Sequence, residues 1–191
     1  ESKRSEEGML LRDNVYGSID EDAERRDFTV NALYYNIADF SVVDFAGGIN
    51  DIAERRLQLI GDPETRYRED PVRMLRAVRF AVKLDFSIAP ESGDPIAQYG
   101  HLLKDIPAAR LFEECLKLFL GGDGKSTFKM LADTQLLYPL FPLLKPLLQQ
   151  WDEDAPELRF MLMALASTDK RVRGDQKVTP AFVFAALLWP L

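Results

Sequence analysis

Three arginines at three-residue spacing stand out in the stretch R-E-D-P-V-R-M-L-R-A-V-R-F, Arg68 to Phe80. Asp70 is a good helix N-cap, Pro71 suits the first helical position, and nothing breaks a helix before Asp85. At about 100° per residue, Met74, Leu75, Val78, Ala81 and Val82 share one arc, while Arg73, Arg76 and Arg79, joined by Lys83, lie on the other. One face wants a core and the other presents guanidiniums. Arginine stays charged and donates in a planar fork that suits phosphates and base edges. Asp70 adds an acceptor at the start of the row, and a carboxylate beside a guanidinium matches the donor–acceptor pattern of a Watson–Crick edge. The plainer reading of this stretch alone is a solvated face, with Glu69 paired to Arg73 at i,i+4.

A second cluster, Glu24-Arg25-Arg26-Asp27-Phe28-Thr29-Val30-Asn31-Ala32, carries the same chemistry. Helical neighbours point about 100° apart, so Arg25 and Arg26 cannot both face a core. Arg26 and Asp27 together can clamp a ribose hydroxyl or a triphosphate oxygen, one donating and the other accepting. The alternative is an exposed, charged first turn of a helix, with Asp22 and Glu24 favoured by the helix dipole.

The elements that must position these groups follow from pattern. Ser18 or Asp20 caps a helix running through D-E-D-A-E-R-R-D-F-T-V-N-A. Ala32 to Ile37 and Ser41 to Phe45 read as two strands of a hairpin turning at Asp39 and Phe40. Gly47-Gly48 opens a short helix, Ile49 to Arg56. Leu57 to Ile60 is a short apolar strand, and Gly61-Asp62-Pro63 begins the next helix. Asp85 to Pro95, with Pro90, Gly93 and Pro95, reads as a linker. Beyond it the pattern is helical: 96–103, 108–120, 125–132, 156–167 and 180–188. Glu1 to Gly8 is polar and reads as loose. The fold class is therefore α+β, mainly α: a small hairpin-containing portion followed by an all-helical one.

Bulk properties bound the function. The chain has 191 residues, 47% hydrophobic, with a net charge of −7. That is enough for a sizeable core, and any nucleic-acid site must be a local basic patch. The one cysteine, Cys115, falls where a helix buries it, and one cysteine allows no internal disulfide, as expected in a reducing, cytoplasmic setting. The longest apolar run, 180–191, is too short to span a bilayer. His101 is the only histidine, which excludes histidine-based metal clusters and triads. Gly121-Gly122-Asp123-Gly124-Lys125-Ser126 lacks the first glycine of a phosphate-binding loop, since Phe119 stands there, and reads as a helix-breaking turn. Lys170, Arg171 and Arg173, with Lys177, form a basic patch able to track an RNA backbone, or equally a solvated loop. Phe112, Phe119, Phe128, Phe141 and Phe160 fall at apolar helical positions and read as core.

Taken in series, E-R-R-D-F-T-V-N-A-L, V-V-D-F-A-G-G-I-N-D-I and L-I-G-D-P-E-T-R-Y-R-E-D-P-V-R-M-L-R-A-V-R-F-A resemble three ordered motifs of the class II nucleotidyltransferases, the bacterial poly(A) polymerases and tRNA CCA-adding enzymes. The resemblance covers roughly Met9 to Phe141. M-L-L-R-D-N-V-Y-G-S-I-D-E-D and the arginine stretch look closer to the poly(A) polymerase branch. P-A-A-R-L-F-E-E-C-L-K-L-F and Y-P-L-F-P resemble its helical neck. The resemblance implies a template-independent enzyme adding AMP from ATP to RNA 3′ ends, with CCA addition as the runner-up and a non-catalytic helical RNA-binding module as the rival of another class. RNA-decay proteins are further implied partners.

By position, the resemblance places Arg25, Arg26 and Asp27 at the sugar and phosphates, with Asp27 counted among the active-site carboxylates. It makes Asp70 and Arg73 the base-reading pair, with Arg76 and Arg79 near base or phosphates. Gly47-Gly48 matches the turn between head and neck. It implies a head remnant over 1–61, a neck with the base-reading helix over 62–150, and the start of an RNA-binding body over 151–191. The family's D-x-D pair, which holds Mg2+, has no counterpart before Arg25; E-D-A-E and W-D-E-D lie in the wrong context. The expectation is a fragment beginning just after the metal-binding strands, inactive alone, with its Mg2+ ligands outside this chain.

Overall fold

The structure is a computed structural model. It describes the backbone of residues 3–4, 10–12, 17–148, 152, 154–189 and 191, and the side chains of these except 3–4, 10–12, 147 and 148. The expected loose segment 1–8 apart from 3–4, most of the M-L-L-R-D-N-V-Y stretch and part of W-D-E-D therefore lie outside the described residues. Two compact units divide the chain, 1–102 and 103–191.

In the first unit, β1 (Lys3–Arg4) pairs antiparallel with β2 (Leu10–Arg12). Helix α1 spans Ile19–Arg25 with Ser18 as N-cap, whose amide donates to Glu21 at 2.9 Å. It ends well before the expected Ala32, because Arg26 is extended (ψ 162°) and Phe28 bridges to Leu59 instead. A 3-10 turn follows at Thr29–Asn31. The hairpin is as expected, slightly shorter: β3 (Leu33–Asn36) pairs with β4 (Ser41–Asp44) in the register Leu33↔Asp44 to Asn36↔Ser41. Helix α2 is Gly48–Ala53 rather than 49–56. Gly47 sits at φ 82°, a conformation glycine adopts without strain.

The short strand β5 is Arg56–Leu57, and it pairs in parallel with β6 (Ser87–Ile88). Parallel strands need a long crossover. It is supplied by α3 (Pro63–Glu69) and α4 (Val72–Leu84), followed after β6 by α5 (Pro90–Gly93) and α6 (Ile96–Tyr99). Asp62 caps α3, accepting from Thr65 N–H at 2.8 Å.

The expected linker 85–95 is a folded part of this unit. Asp85 closes α4 in the left-handed region, β6 follows at once, and Ser92 is fully buried. Ser92 Oγ accepts from Leu59 N–H at 2.9 Å, and its carbonyl accepts from Tyr67 Oη at 2.6 Å. Pro90 and Gly93 bound a one-turn helix; they do not loosen a spacer.

The core runs along α4. Met74, Leu75, Val78 and Ala81 are buried, as expected of one arc, and Val82 is half-buried; Ala77, outside that arc, is buried too. Burial reaches past that arc, because the segment before Thr29 packs on the other side: Phe28 is fully buried, edge-on to Phe80 at 5.8 Å. A side chain of that size contributes about 1.5–3 kcal/mol on burial.

The second unit is helical: α7 (Ala108–Phe119), α8 (Gly124–Asp133), α9 (Leu137–Leu140), α10 (Lys145–Leu148), α11 (Pro156–Arg173) and α12 (Pro180–Leu188). Helix α11 runs a turn and a half beyond the expected end at 167. The 96–103 helix instead divides into α6 and a 3-10 stretch, Gly100–Asp105. Phe119, Phe128 and Phe141 are core, and Cys115 is buried, which pushes its thiol up to about 12. Phe112 and Phe160 are not core: they stand 47% and 45% exposed, Phe112 stacking on Phe184 at 5.3 Å. Their helices bury only one arc, and these two lie at its edge.

Candidate functional site

The turn after α1 separates Arg26 from Asp27. An extended residue sends successive side chains to opposite sides. Arg26 folds back onto its own helix: Nε and Nη2 donate to Asp22 Oδ2 at 3.1 and 2.9 Å, and the guanidinium lies 5.8 Å from the Tyr34 ring centre. Tyr34 Oη donates to the same oxygen at 2.7 Å. The Tyr34 hydroxyl, then Arg26, hold the Asp22 carboxyl below the usual range. The expected Arg26–Asp27 clamp is thus not formed as a neighbouring pair.

Asp27 points inward, 9% exposed. Its Oδ1 accepts from Phe28 N–H at 2.9 Å and Asn31 Nδ2 at 3.0 Å. Its Oδ2 accepts from Arg76 Nε at 2.6 Å and Nη2 at 2.5 Å. This contact joins the two sequence clusters directly.

The three α4 arginines do not form one solvated ladder. Arg73 is buried, and its Nη1 donates to Glu69 Oε2 at 3.3 Å and to the Arg66 carbonyl at 2.9 Å. The i,i+4 pair read from the sequence is present, but inside. Arg76 is one-third exposed and lies over Phe80 at 5.4 Å; Arg79 lies over the same ring at 4.8 Å. The cause is the packing of α3 and the 25–29 turn on this side of α4.

Asp70 ends α3 and also caps α4 as expected: its backbone is extended, Pro71 beside it is helical, and Asp70 Oδ1 accepts from Val72 N–H at 3.2 Å.

A second buried carboxylate supports the turn. Asp51, on α2, accepts from Thr29 Oγ1 at 2.6 Å and from Arg56 Nε and Nη2 at 2.9 and 2.7 Å. Gly48 lies so close to the Thr29 carbonyl that a Cβ would come within 2.3 Å of it. Asp44 gathers the amides of Ala46, Gly47, Gly48 and Ile49 at 2.9–3.1 Å. Burial alone would raise this carboxyl, but the four amides outweigh it and hold it below the usual range. Asp51 and Asp44 were not singled out from sequence; the G-G-x-x-D spacing was their visible trace.

In the second unit, Lys170, Arg171 and Arg173 occupy the last turn of α11 rather than a loop. Arg173 pairs with Asp123, and Arg171 Nη2 donates to the Lys177 carbonyl at 3.4 Å. Arg171, Lys177, Thr179 and Phe182 line a cleft of about 390 Å³. The glycine-rich turn 121–126 is already satisfied: buried Asp169 accepts from Gly124 N–H at 2.6 Å and Lys125 N–H at 3.0 Å, where a phosphate would otherwise sit. His101 is exposed, its Nδ1 2.8 Å from the Gln98 carbonyl.

Comparison with known proteins bears on this geometry. The family model described as "Poly A polymerase head domain" matches residues 1–58, and "Probable RNA and SrmB- binding site of polymerase A" matches 85–148. Poly(A) polymerase I of Salmonella typhimurium is 54% identical over 188 residues, 98% of this chain and 40% of that protein; that of Escherichia coli O157:H7 matches equally. The CCA-adding enzyme of Lactobacillus helveticus is 38% identical over 145 residues, 75% of this chain and 35% of that one. Among solved structures, a tRNA-processing enzyme in an apo form aligns with a TM-score of 0.75 at 27% identity, over 92% of this chain and 50% of the other. The Bacillus stearothermophilus CCA-adding enzyme in complex with CTP gives 0.65 at 30%, over 91% and 46%. The chain thus spans about 40% of the length of its poly(A) polymerase relatives. With three motifs in order and relatives alike across nearly all of its residues, the chain belongs to the family of bacterial poly(A) polymerases and tRNA CCA-adding nucleotidyltransferases.

Proposed function

We propose that the chain is the nucleotide-recognising part of a cytoplasmic RNA nucleotidyltransferase that adds AMP from ATP to RNA 3′ ends. One observation carries the reading: Asp27 and Arg76, 49 residues apart, meet through two N–H donors at 2.5 and 2.6 Å, so both arginine clusters serve one place. In this reading Arg25, Arg26 and Asp27 address the sugar and phosphates, and Asp70 and Arg73 the base edge. Arg76 and Arg79 lie near base or phosphates. A guanidinium held from behind by Glu69 and a carbonyl, as Arg73 is, keeps the fixed orientation that reading a planar base edge requires. Lys170, Arg171 and Arg173 are taken as contacts to the RNA backbone. The model matching 85–148 names RNA and SrmB in its description, which supports an RNA and a protein as partners of that stretch; RNA-decay proteins are proposed as partners with it. The division into head remnant 1–61, neck 62–150 and body 151–191 belongs to the same proposal.

Magnesium does not fit the residues described here. Among them no three of His, Cys, Asp and Glu are grouped to hold a metal, and Asp27 already accepts on both oxygens. Its ligands are proposed to lie outside this chain, and no step is routed through it. Among the described residues no helix is long and apolar enough to cross a membrane.

CCA addition is kept as a second reading, because a CCA-adding enzyme is 38% identical and a solved structure at 30% identity is also a CCA-adding enzyme. The higher identity to poly(A) polymerase I over a longer stretch favours polyadenylation. The test is primer extension by the full-length protein with each nucleoside triphosphate in turn. The proposal expects long ATP-only tails, an ATP preference erased by Asp70→Ala, and weaker use of every nucleotide after Arg76→Ala. Addition of CTP to tRNA lacking its CCA end would favour the second reading. RNA binding without incorporation would favour a binding module.

A further inference from the structure

Arg66, on α3, is mostly covered, with 13% of its side chain exposed. Its Nη2 donates to two consecutive main-chain carbonyls, Arg25 at 2.9 Å and Arg26 at 2.5 Å. Its Nη1 donates to Glu69 Oε2 at 3.3 Å, the oxygen that Arg73 Nη1 also reaches at 3.3 Å. Its own carbonyl accepts from Arg73. One residue therefore ties the chain immediately before Asp27 to Glu69 at the end of α3, and through that carboxylate and its own carbonyl to Arg73 on α4.

The arrangement is costly in isolation. Buried guanidiniums normally match their donors. Here Nε is buried with no hydrogen-bond partner, and two cations share one carboxylate oxygen. Burial, then the neighbouring Arg73, pull the Arg66 pKa below its ordinary value, although arginine stays charged. A C-terminal cap for α1 needs only a cation near its last carbonyls, which a solvated lysine supplies at far lower cost. What only a planar fork does is hold two carbonyls on one nitrogen and a carboxylate on another, fixing distance and direction together.

We propose that Arg66 is a positioning residue of the nucleotide site: it locks the Arg25–Asp27 turn onto the start of α4, so that Asp27 meets Arg76 and Arg73 keeps its orientation, without itself touching the nucleotide. The proposal rests on the nucleotide-binding reading of Asp27, Arg73 and Arg76 given above.

The test compares Arg66→Lys, Arg76→Lys and the double variant in the full-length protein, reading thermal stability, KM for ATP and KM for the RNA primer. Displacing a binding group by about 1 Å costs on the order of 10- to 100-fold. Arg66→Lys is expected to raise the ATP KM by at least about 10-fold at an unchanged RNA KM. The double variant is expected to lose clearly less than the product of the two single losses, since both act in part through the Asp27–Arg76 contact. Should Arg66→Lys fail to fold, Arg66→Gln, which keeps a donor for one carbonyl, is read in the same way. An unchanged ATP KM in a folded Arg66 variant, or independent and multiplicative losses in the double variant, would leave Arg66 as a simple cap. If Arg76→Lys itself leaves the ATP KM unchanged, the nucleotide-site reading fails, and this proposal with it.

Discussion

Asp27→Asn keeps the shape of the side chain and removes its charge, so it isolates what the contact with Arg76 contributes. Two Arg76 N–H groups reach one Asp27 oxygen at 2.5 and 2.6 Å. Breaking a fully buried pair costs about 3–5 kcal/mol, and an exposed pair contributes about 0–1. The two partners differ in burial: Asp27 is 9% exposed and Arg76 33%. Arg76, left without the carboxylate, still reaches water, so Asn at 27 should cost about 1–2 kcal/mol, near the lower end for a hydrogen bond to a charged group. Arg76→Ala leaves the more buried partner charged, with only Phe28 N–H and Asn31 to satisfy it. That should cost more, about 2–4 kcal/mol, part of it from the lost contact with the Phe80 ring. Urea melts at pH 7 of wild type, both single variants and the double variant close the cycle and remove the Phe80 term. The expected coupling is above about 1 kcal/mol and little changed by salt, because the pair is shielded. Single losses below about 0.5 kcal/mol that simply add, or a coupling abolished by salt, would refute an inward-facing contact between the two clusters.

Two further substitutions probe how the surrounding helices are held. Asp169→Ala strips the acceptor from the Gly124 and Lys125 amides, which should cost about 1–2 kcal/mol. Sulfate should then stabilise this variant more than wild type in thermal melts, since the opened helix N-terminus is an anion site; equal sulfate effects would show that the amides were not exposed. Asp44→Asn weakens the start of α2 by on the order of 1 kcal/mol. The Asp44 carboxyl is held below its unfolded value, so its stabilisation is full above about pH 4 and lost as pH falls through the folded value. Melts across this range should show the gap between wild type and variant shrinking on acidification; a gap that widens would contradict the four-amide cap.

Much of the scaffold was legible because the relevant signals are local. Spacing and the stop at Asp85 marked out α4, the bounds of α12 match their apolar run, and strand alternation with a turn at Asp39-Phe40 marked the hairpin. The i,i+4 pair of Glu69 and Arg73 was legible for the same reason. What was not legible is which surface covers a given arc. Helical period assigns Arg73, Arg76 and Arg79 to a side of α4, but whether that side meets water depends on α3 and on the turn at 25–29. The segment 85–95 misled because a two-residue parallel strand has no alternation to read, so its proline and glycine were the only signal left. Asp169 is separated from the amides it caps by 44 and 45 residues and leaves no local mark. The site is therefore best understood as a set of local motifs whose meaning is set by their closest non-local partners. Asp27 is a recognition group in this reading because Arg76 meets it, and Arg26, one residue earlier, is turned aside because Asp22 and Tyr34 hold it. A nucleotide that draws on both must compete with Asp22 for Arg26 and with Asp27 for Arg76. Of the two, the Arg26 pair is the easier to displace, since both of its members are about half exposed and an exposed pair contributes little.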